Sequence, residues 1–378
     1  MKFGTRILHP HHEIDPATHA VGVPIYQVST YRQESVDRFG RYDYARSDNP
    51  TREALEETIA SLENGTQGVA FASGMAAIST ALLLFSAGDH LVVCRDVYSG
   101  AYRVLTELFS RLGIESTFVD TSRLETVREA IRPNTRGLYL ETPSNPLLKI
   151  TDLAGAAALA RERGLITLVD NTFMTPYLQR PLDLGCDIVL HSGTKFLNGH
   201  SDVICGFAVV KDRELGSRLR FLQNAFGAIL GPQDSWLVLR GLKTLRVRME
   251  ESQKSALAVA QWLSRQEKVV EVLYPGLPSH PGFAIHESQA SGPGAVLSFR
   301  LSSVDATRKL LNGIRLAVFA VSLGGVESIV SYPARMSHGA MSPREREALG
   351  ISDTLVRLSV GLEDRDDLIA DLDRVLNG

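Results

Sequence analysis

The sequence predicts an α/β protein, with a mainly parallel sheet carrying helices on both faces and a smaller C-terminal α+β domain. Three observations predict it. Between residues 50 and 210, short apolar runs alternate with stretches of helical spacing, the pattern of repeated strand–helix crossovers. The 378 residues exceed what one hydrophobic core usually spans, so two domains are expected. Beyond about residue 265 the alternation gives way to less regular segments.

In chain order, residues 1–45 show little periodicity and are rich in His, Tyr and Arg. They read as an extended arm that needs a surface to lie against. Thr51–Glu63 places apolar residues at 55, 59 and 62 and stops at Asn64-Gly65, which predicts a helix. Strands are then expected at Gly68–Ala72, Leu91–Cys94, Ser116–Val119, Gly137–Leu140, Ile166–Val169, Ile188–Leu190 and Phe207–Val210. Helices are expected between them at Met75–Phe85, Tyr98–Leu112, Leu124–Ile131 and Leu153–Arg163. A long helical pattern begins near Pro232 and runs through Leu239, Leu242, Leu245 and Met249 to Trp262, reading as a connector. Strand-like Val296–Phe299 and Val356–Val360, the turn Gly324-Gly325 and a closing helix near Asp366–Leu376 follow. The expected divisions are an arm at 1–45, a sheet domain at 46–240 and a C-terminal domain at 241–378.

Composition excludes several classes. The net charge of −3, from 40 basic and 43 acidic residues, indicates neither a nucleic-acid nor a membrane-surface partner. Cys94, Cys186 and Cys205 each sit in or beside an apolar run and read as buried thiols, not as a disulfide frame or zinc site. The first residues lack an apolar stretch of signal-peptide length, and no run approaches a membrane span, so a cytoplasmic protein is expected. His9, His11, His12 and His19 match no standard zinc spacing, and no metal is assigned.

In a parallel α/β sheet, ligands bind outside the carboxyl ends of the strands. The residues that follow each predicted strand are therefore the candidates. Ser73-Gly74-Met75 opens a helix after GVAFA, and Asp96-Val97-Tyr98 follows LVVC. ETPSNP, with Asn145, follows GLYL; Asp170-Asn171-Thr172 follows ITLV; His191-Ser192-Gly193-Thr194-Lys195 follows DIVL. A lysine at the end of a core strand needs a partner, a lowered pKa or a covalent role. These residue types fit pyridoxal phosphate (PLP): a lysine for the Schiff base, a carboxylate for the pyridine nitrogen and a helix start for the phosphate. Gly74 allows the close approach such a helix start requires. Each residue also has a plainer reading. Lys195 could be a loop lysine, Asp170 a cap, Tyr98 a core aromatic, Ser322 a turn hydroxyl, and Arg357 an ion-pair partner of Asp353, Glu363 or another acid. No strand is followed by GxGxxG, which argues against a nicotinamide dehydrogenase.

SGTKFLNGHSD at 192–202, LVDNTF around Asp170, ETPSNP and YARSDNPT at 44–51 together resemble the Cys/Met-metabolism PLP enzymes, the trans-sulfuration family of aminotransferase-like fold type I. The resemblance runs from Tyr44 to RLSVGLED at 357–364. It implies that Lys195 forms the Schiff base and shuttles protons, that Asp170 pairs with the ring nitrogen, and that Tyr98 stacks on the ring. It implies that Ser73, Gly74, Met75, Thr172, Ser192 and Thr194 line the cofactor site, chiefly at the phosphate. Tyr44 and Arg46 would reach the phosphate of a neighbouring subunit, so each site would need a homodimer, and the family usually forms tetramers. Asn145, Val321, Ser322 and Arg357 would surround a sulfur amino-acid substrate, with Arg357 suited to its carboxylate.

The implied activity is carbon–sulfur bond cleavage. The γ-active cystathionine enzymes commonly carry an acid before the Ser-Leu-Gly-Gly turn, where this chain has Val321. Methionine γ-lyases usually carry cysteine two residues after the stacking tyrosine, where this chain has Gly100. SYPARMSH and LGPQDSWLVLRGLKTL also look closest to bacterial cystathionine β-lyases. Cystathionine β-lyase chemistry, giving homocysteine, pyruvate and ammonia, is therefore the expectation, with cysteine desulfhydration as a side activity. Cystathionine γ-lyase, γ-synthase and, more remotely, methionine γ-lyase activities are the alternatives, as is a non-catalytic PLP-binding protein of the same fold.

Overall fold

Six of the seven strands in the main sheet of the computed structural model point the same way, and this sets where a site can form. The structure describes residues 1–9, 15, 18–339 and 341–378. The strands are β1 (Gln67–Phe71), β2 (His90–Cys94), β3 (Glu115–Val119), β4 (Thr135–Glu141), β5 (Ile166–Asp170), β6 (Ile188–Ser192) and β7 (Gly206–Val210). Their order is β1-β7-β6-β5-β4-β2-β3. β7 runs antiparallel to both β1 and β6, so β1 is parallel to the rest. The carboxyl ends of β1, β2, β4, β5 and β6 consequently share one edge. The reversal of β7 is the feature its short apolar run did not announce.

Alternation along β6 explains the two-sided core. Val189 joins Leu55, Ile59 and Leu62 of the Pro50–Leu62 helix, whereas Ile188 and Leu190 face Ile78 and Leu82 of the Gly74–Leu82 helix. With both faces covered, the strand reads as a continuous apolar run instead of an alternating one. Asn49 caps the Pro50–Leu62 helix through its side chain, and Pro50 occupies the first position, where its missing N–H costs nothing.

A second sheet is built from β8 (Val269–Leu273), β9 (Val296–Leu301), β10 (Val318–Phe319), β11 (Ile329–Ser331) and β12 (Leu355–Ser359), in the order β10-β11-β12-β9-β8. Its core joins Phe299, Leu301, Val356 and Leu358 to Val259 and Leu263 of one helix and Leu372 of the last. Ala295, Val296 and Leu323 from this half lie in the same apolar cluster as Phe196 and Leu197, so the two halves share buried surface beside Lys195.

Two expected helices differ in detail. The Tyr98–Leu112 segment begins as α-helix at Ser99–Arg103, widens to a π-helical turn at Val104–Phe109 and tightens at Ser110–Leu112. Thr106 and Ser110 hydroxyls donate back to the carbonyls of Tyr102 and Thr106, a competition that distorts helices. The connector from Pro232 is two helices, Pro232–Leu242 and Leu245–Leu263, and Arg248 explains the break. The Arg248 side chain is buried. Its guanidinium donates to Gly241 O at 2.9 Å, Phe196 O at 2.7 Å and Leu197 O at 3.4 Å. One cation thus satisfies a carbonyl at the helix end and two carbonyls directly after Lys195. Gly199, at φ +77°, leaves room for it, since a Cβ there would fall 2.1 Å from Nη1.

The arm is partly seated on its own chain. Phe3–Arg6 is one helical turn, Ile7 is buried in the main core, and Arg6 donates to Asn64 Oδ1 at 2.6 Å. The Arg213–Phe226 helix, Phe283–Gln289, Val304–Gly313 and Pro343–Leu349 were not marked by the sequence pattern.

Replacing Arg248 by Met is expected to destabilise the fold by about 3 kcal/mol, because three buried carbonyls lose a charged donor. Lys, lacking the fork, is expected to recover little of it. Denaturant unfolding of the wild type and both variants checks this.

Candidate active site

The shared carboxyl edge gathers the candidates. Asp170 closes β5 and is paired in register with Leu190 of β6 on one side and Glu141 of β4 on the other. Thr172 locks the first two together: its N–H donates to Asp170 Oδ1 at 3.0 Å, and its hydroxyl accepts from Ser192 N at 2.8 Å. Lys195 lies three residues beyond Ser192. Its Nζ donates to Ser322 Oγ at 2.6 Å, a bond from the main sheet's mouth to the loop before β11.

Ser322 is in the left-handed region at φ +85°, uncommon for a residue with a Cβ. Two contacts hold it there: the hydroxyl receives Lys195, and the carbonyl accepts from Arg357 Nη2 at 2.7 Å. Next to it Gly324 approaches so closely that a Cβ would fall 2.6 Å from Phe196 N. Arg357, on β12, is buried and also donates from Nη1 to Asn145 Oδ1 at 2.8 Å. Its partners are a side-chain amide and a carbonyl, not Asp353 or Glu363, so the ion-pair reading of this arginine fails. Asp353 pairs with Arg346, and Glu363 receives Ser328. Arg357 Nε is buried without an acceptor among the described residues, which leaves part of the fork for a carboxylate.

Burial and charge tune these groups. Burial first, and the Arg357 charge second, push the Lys195 amine down to about 8. Burial pushes Arg357 down to about 10. Burial raises Asp170, while hydrogen bonds from Thr172 and the nearby His191 oppose the rise. Among the described residues no lysine or arginine forms an ion pair with Asp170. A protonated ring nitrogen is the kind of cation its environment suits. His338 is buried and pushed down to about 4 by burial and by Arg357 and Arg346, so it adds no cation at neutral pH.

At the end of β1, Ser73 caps the Gly74–Leu82 helix by accepting from Ala76 N at 3.0 Å. The N–H groups of Gly74 and Met75, in the first turn, therefore have no intrahelical partner. A Cβ on Gly74 would fall 2.9 Å from Ser192 Cβ and 3.1 Å from its hydroxyl, so only glycine lets Ser192 stand against the helix start. This is a phosphate cradle in form. Thr194 is less free: its hydroxyl donates to Cys205 O at 3.3 Å and accepts from Cys205 N at 3.0 Å. Tyr98, 42% exposed, precedes the Ser99–Arg103 helix with its ring against Gly100, as a ring presented to a ligand would be. Val321 is 66% exposed.

Tyr44 and Arg46 stand apart on the surface. The Arg46 guanidinium lies 5.6 Å from the Tyr44 ring and donates to Asn224 at 2.7 and 2.9 Å, and neither residue hydrogen-bonds to the Lys195 group. His11 and His12 lie outside the described residues. Glu141 had no role in the sequence reading. Its position as the last residue of a strand flanking β5 was the available signal.

Comparison with known proteins agrees with this geometry. The family model described as Cys/Met metabolism PLP-dependent enzyme matches residues 4–377. "Cystathionine beta-lyase MetC" of Bacillus subtilis (strain 168) is 58% identical over 372 residues, covering 98% of this chain and 95% of that protein. "Cystathionine gamma-lyase" of the same strain is 50% identical over 376 residues, covering 100% and 99%. The solved structure of cystathionine gamma-lyase from Lactobacillus plantarum, complexed with L-serine, superposes with a TM-score of 0.98 at 47% identity, covering 100% and 99%. A half-buried lysine, a buried carboxylate that no lysine or arginine pairs among the described residues and an open helix start at one sheet edge, under a family match across nearly the whole chain, lead to one conclusion: this chain belongs to the Cys/Met metabolism PLP-dependent enzyme family.

Proposed function

We propose that the chain cleaves cystathionine at its β-carbon with uptake of water, giving homocysteine, pyruvate and ammonia. The observation that carries the reading is the Arg357–Ser322–Lys195 chain of contacts, which sets a carboxylate-binding fork next to a half-buried amine. Its 58% identity to a protein named cystathionine beta-lyase supports the same reading. When bound, the cofactor supplies an aldehyde for the substrate's amine and a ring that delocalises the electron pair left at the α-carbon. Asp170 would hold its ring nitrogen, Tyr98 would stack on the ring, and Ser73, Gly74, Met75, Thr172, Ser192 and Thr194 would line the site.

The chain's own residues do the rest. Arg357, oriented by Asn145 and Ser322, binds the α-carboxylate and fixes which C–H bond faces Lys195. The Lys195 amine, lowered to about 8, has a neutral fraction near physiological pH and takes the α-proton. Ser322 Oγ holds that amine in place between transfers. Val321 brings no charge to the substrate's far end, which suits elimination at Cβ more than a reaction steered by the distal amine. A γ-elimination reading is favoured by the 50% identity to the cystathionine gamma-lyase and by the fit to the solved gamma-lyase structure. The reading also has Tyr44 and Arg46 completing the phosphate site of a second copy, with pairs assembling into a tetramer. No helix among the described residues is long and apolar enough to cross a membrane.

Incubation of the holoenzyme with cystathionine is expected to yield pyruvate and homocysteine. Predominant 2-oxobutyrate, detected by keto-acid chromatography, would replace the β-reading with the γ-reading.

Substituting Arg357 by Lys removes the two-pronged contact and is expected to lower kcat/KM about 10- to 100-fold, mostly through KM. Steady-state kinetics on cystathionine gives the split.

In cofactor-free protein, acylation of Lys195 followed by mass spectrometry should rise with pH around a midpoint near 8, not the ordinary 10.5. In Arg357→Leu the midpoint should move upward, because a repelling charge is gone, yet stay below 10.5 because burial persists.

A further inference from the structure

Glu141 closes β4 with a buried carboxylate whose two oxygens serve two different loops. Oε2 accepts from the backbone N–H of Tyr98 at 2.7 Å, and Oε1 accepts from the backbone N–H of Asn145 at 3.1 Å. Tyr98 follows β2. Its backbone, at φ −45° and ψ 133°, is not helical, so Glu141 supplies the acceptor a helix would not. Asn145 follows β4 and holds Arg357 through its side-chain carbonyl at 2.8 Å. The ring of Tyr98 lies over Gly100, where only glycine leaves room for it: a Cβ there would fall 2.5 Å from Tyr98 Cε1 and 2.6 Å from Met75 Sδ. The Tyr98 backbone carries the ring over that glycine, so a shift of the backbone shifts the ring with it. One side chain thus carries the mount of the stacking ring and the mount of the arginine's partner.

We propose that Glu141 is a positioning residue that keeps the Tyr98 ring and the Asn145–Arg357 pair in register, so that cofactor plane and substrate carboxylate meet at a set height. The inference rests on the roles given above to Tyr98, Asn145 and Arg357. A carboxylate is suited to the task because both its oxygens accept. Glutamine has the same volume but turns an NH₂ toward one of the two N–H groups, donor against donor. Misplacement by about 1 Å is enough to cost on the order of 100-fold in rate.

The test compares Glu141→Gln with the parent, and Glu141→Gln/Asn145→Ala with Asn145→Ala, all as holoenzymes. Glu141→Asp, too short to reach both N–H groups, replaces the Gln variant if that one does not fold. The expected result has three parts. The variant takes up cofactor stoichiometrically with an altered visible circular dichroism of the bound cofactor in the absence of substrate. Its kcat/KM for cystathionine falls about 10- to 100-fold. The loss is smaller in the Asn145→Ala background, where the share that runs through Asn145 and Arg357 is already gone and only the share that runs through Tyr98 remains. An unchanged visible signal with parental kcat/KM overturns the proposal, as does an unchanged signal with an equal loss in both backgrounds, which a merely structural glutamate would give. If the parent releases no keto acid from cystathionine, the substrate reading has failed, and the substrate-free dichroism alone then decides Glu141: altered supports it, unchanged overturns it.

Discussion

A half-buried amine with no carboxylate partner among the described residues is the constraint around which this structure is arranged. Lys195 lies at the mouth of the main sheet, and its nearest polar neighbour is a neutral hydroxyl, Ser322 Oγ, at 2.6 Å. The nearby charge that acts on it is another cation, Arg357. A surface lysine would be solvated, and a structural buried lysine would be paired. Here burial and repulsion both favour the neutral amine, the form that can attack a carbonyl or accept a proton.

Holding such a group requires support from elsewhere. The Ser322 backbone is kept at φ +85° by contacts at both its hydroxyl and its carbonyl. Gly324 brings its turn against Phe196, and Arg248 collects the carbonyls of Phe196, Leu197 and Gly241. The strained turn, the broken connector helix and the loop after β6 are thus parts of one support. It links the two sheets, so the site cannot be assigned to either half alone.

The anionic side of the mouth follows a complementary rule. Asp170 and Glu141 end neighbouring strands in register, and burial raises both. The backbone N–H groups of Tyr98 and Asn145 temper Glu141, and Thr172 tempers Asp170; no lysine or arginine neutralises Asp170 among the described residues. On the function proposed above, Asp170, the open helix start at Gly74 and the unpaired Nε edge of Arg357 would receive a ring cation, a phosphate and a carboxylate respectively.

Much of this was legible in the linear sequence. Strand ends followed by polar residues marked Asp170, Ser192, Lys195 and the Gly74 helix start, because burial on both faces makes such strands apolar without interruption. The Leu153–Arg163 helix was bounded as observed. The reversed β7 was not legible, since strand direction is set by pairing partners far along the chain. The break at Lys243-Thr244 was not, since apolar periodicity continues across it and the competing donor, Arg248, acts through space. Glu141 was passed over because its two acceptors meet backbone groups, which leave no mark in composition. The sequence by itself determined which residues stand at the carboxyl edge and what chemistry their types allow. Only the tertiary structure decided which of them touch: Lys195 with Ser322 across 127 positions and Arg357 with Asn145 across 212, contacts whose geometry depends on how two sheets pack and not on any local spacing.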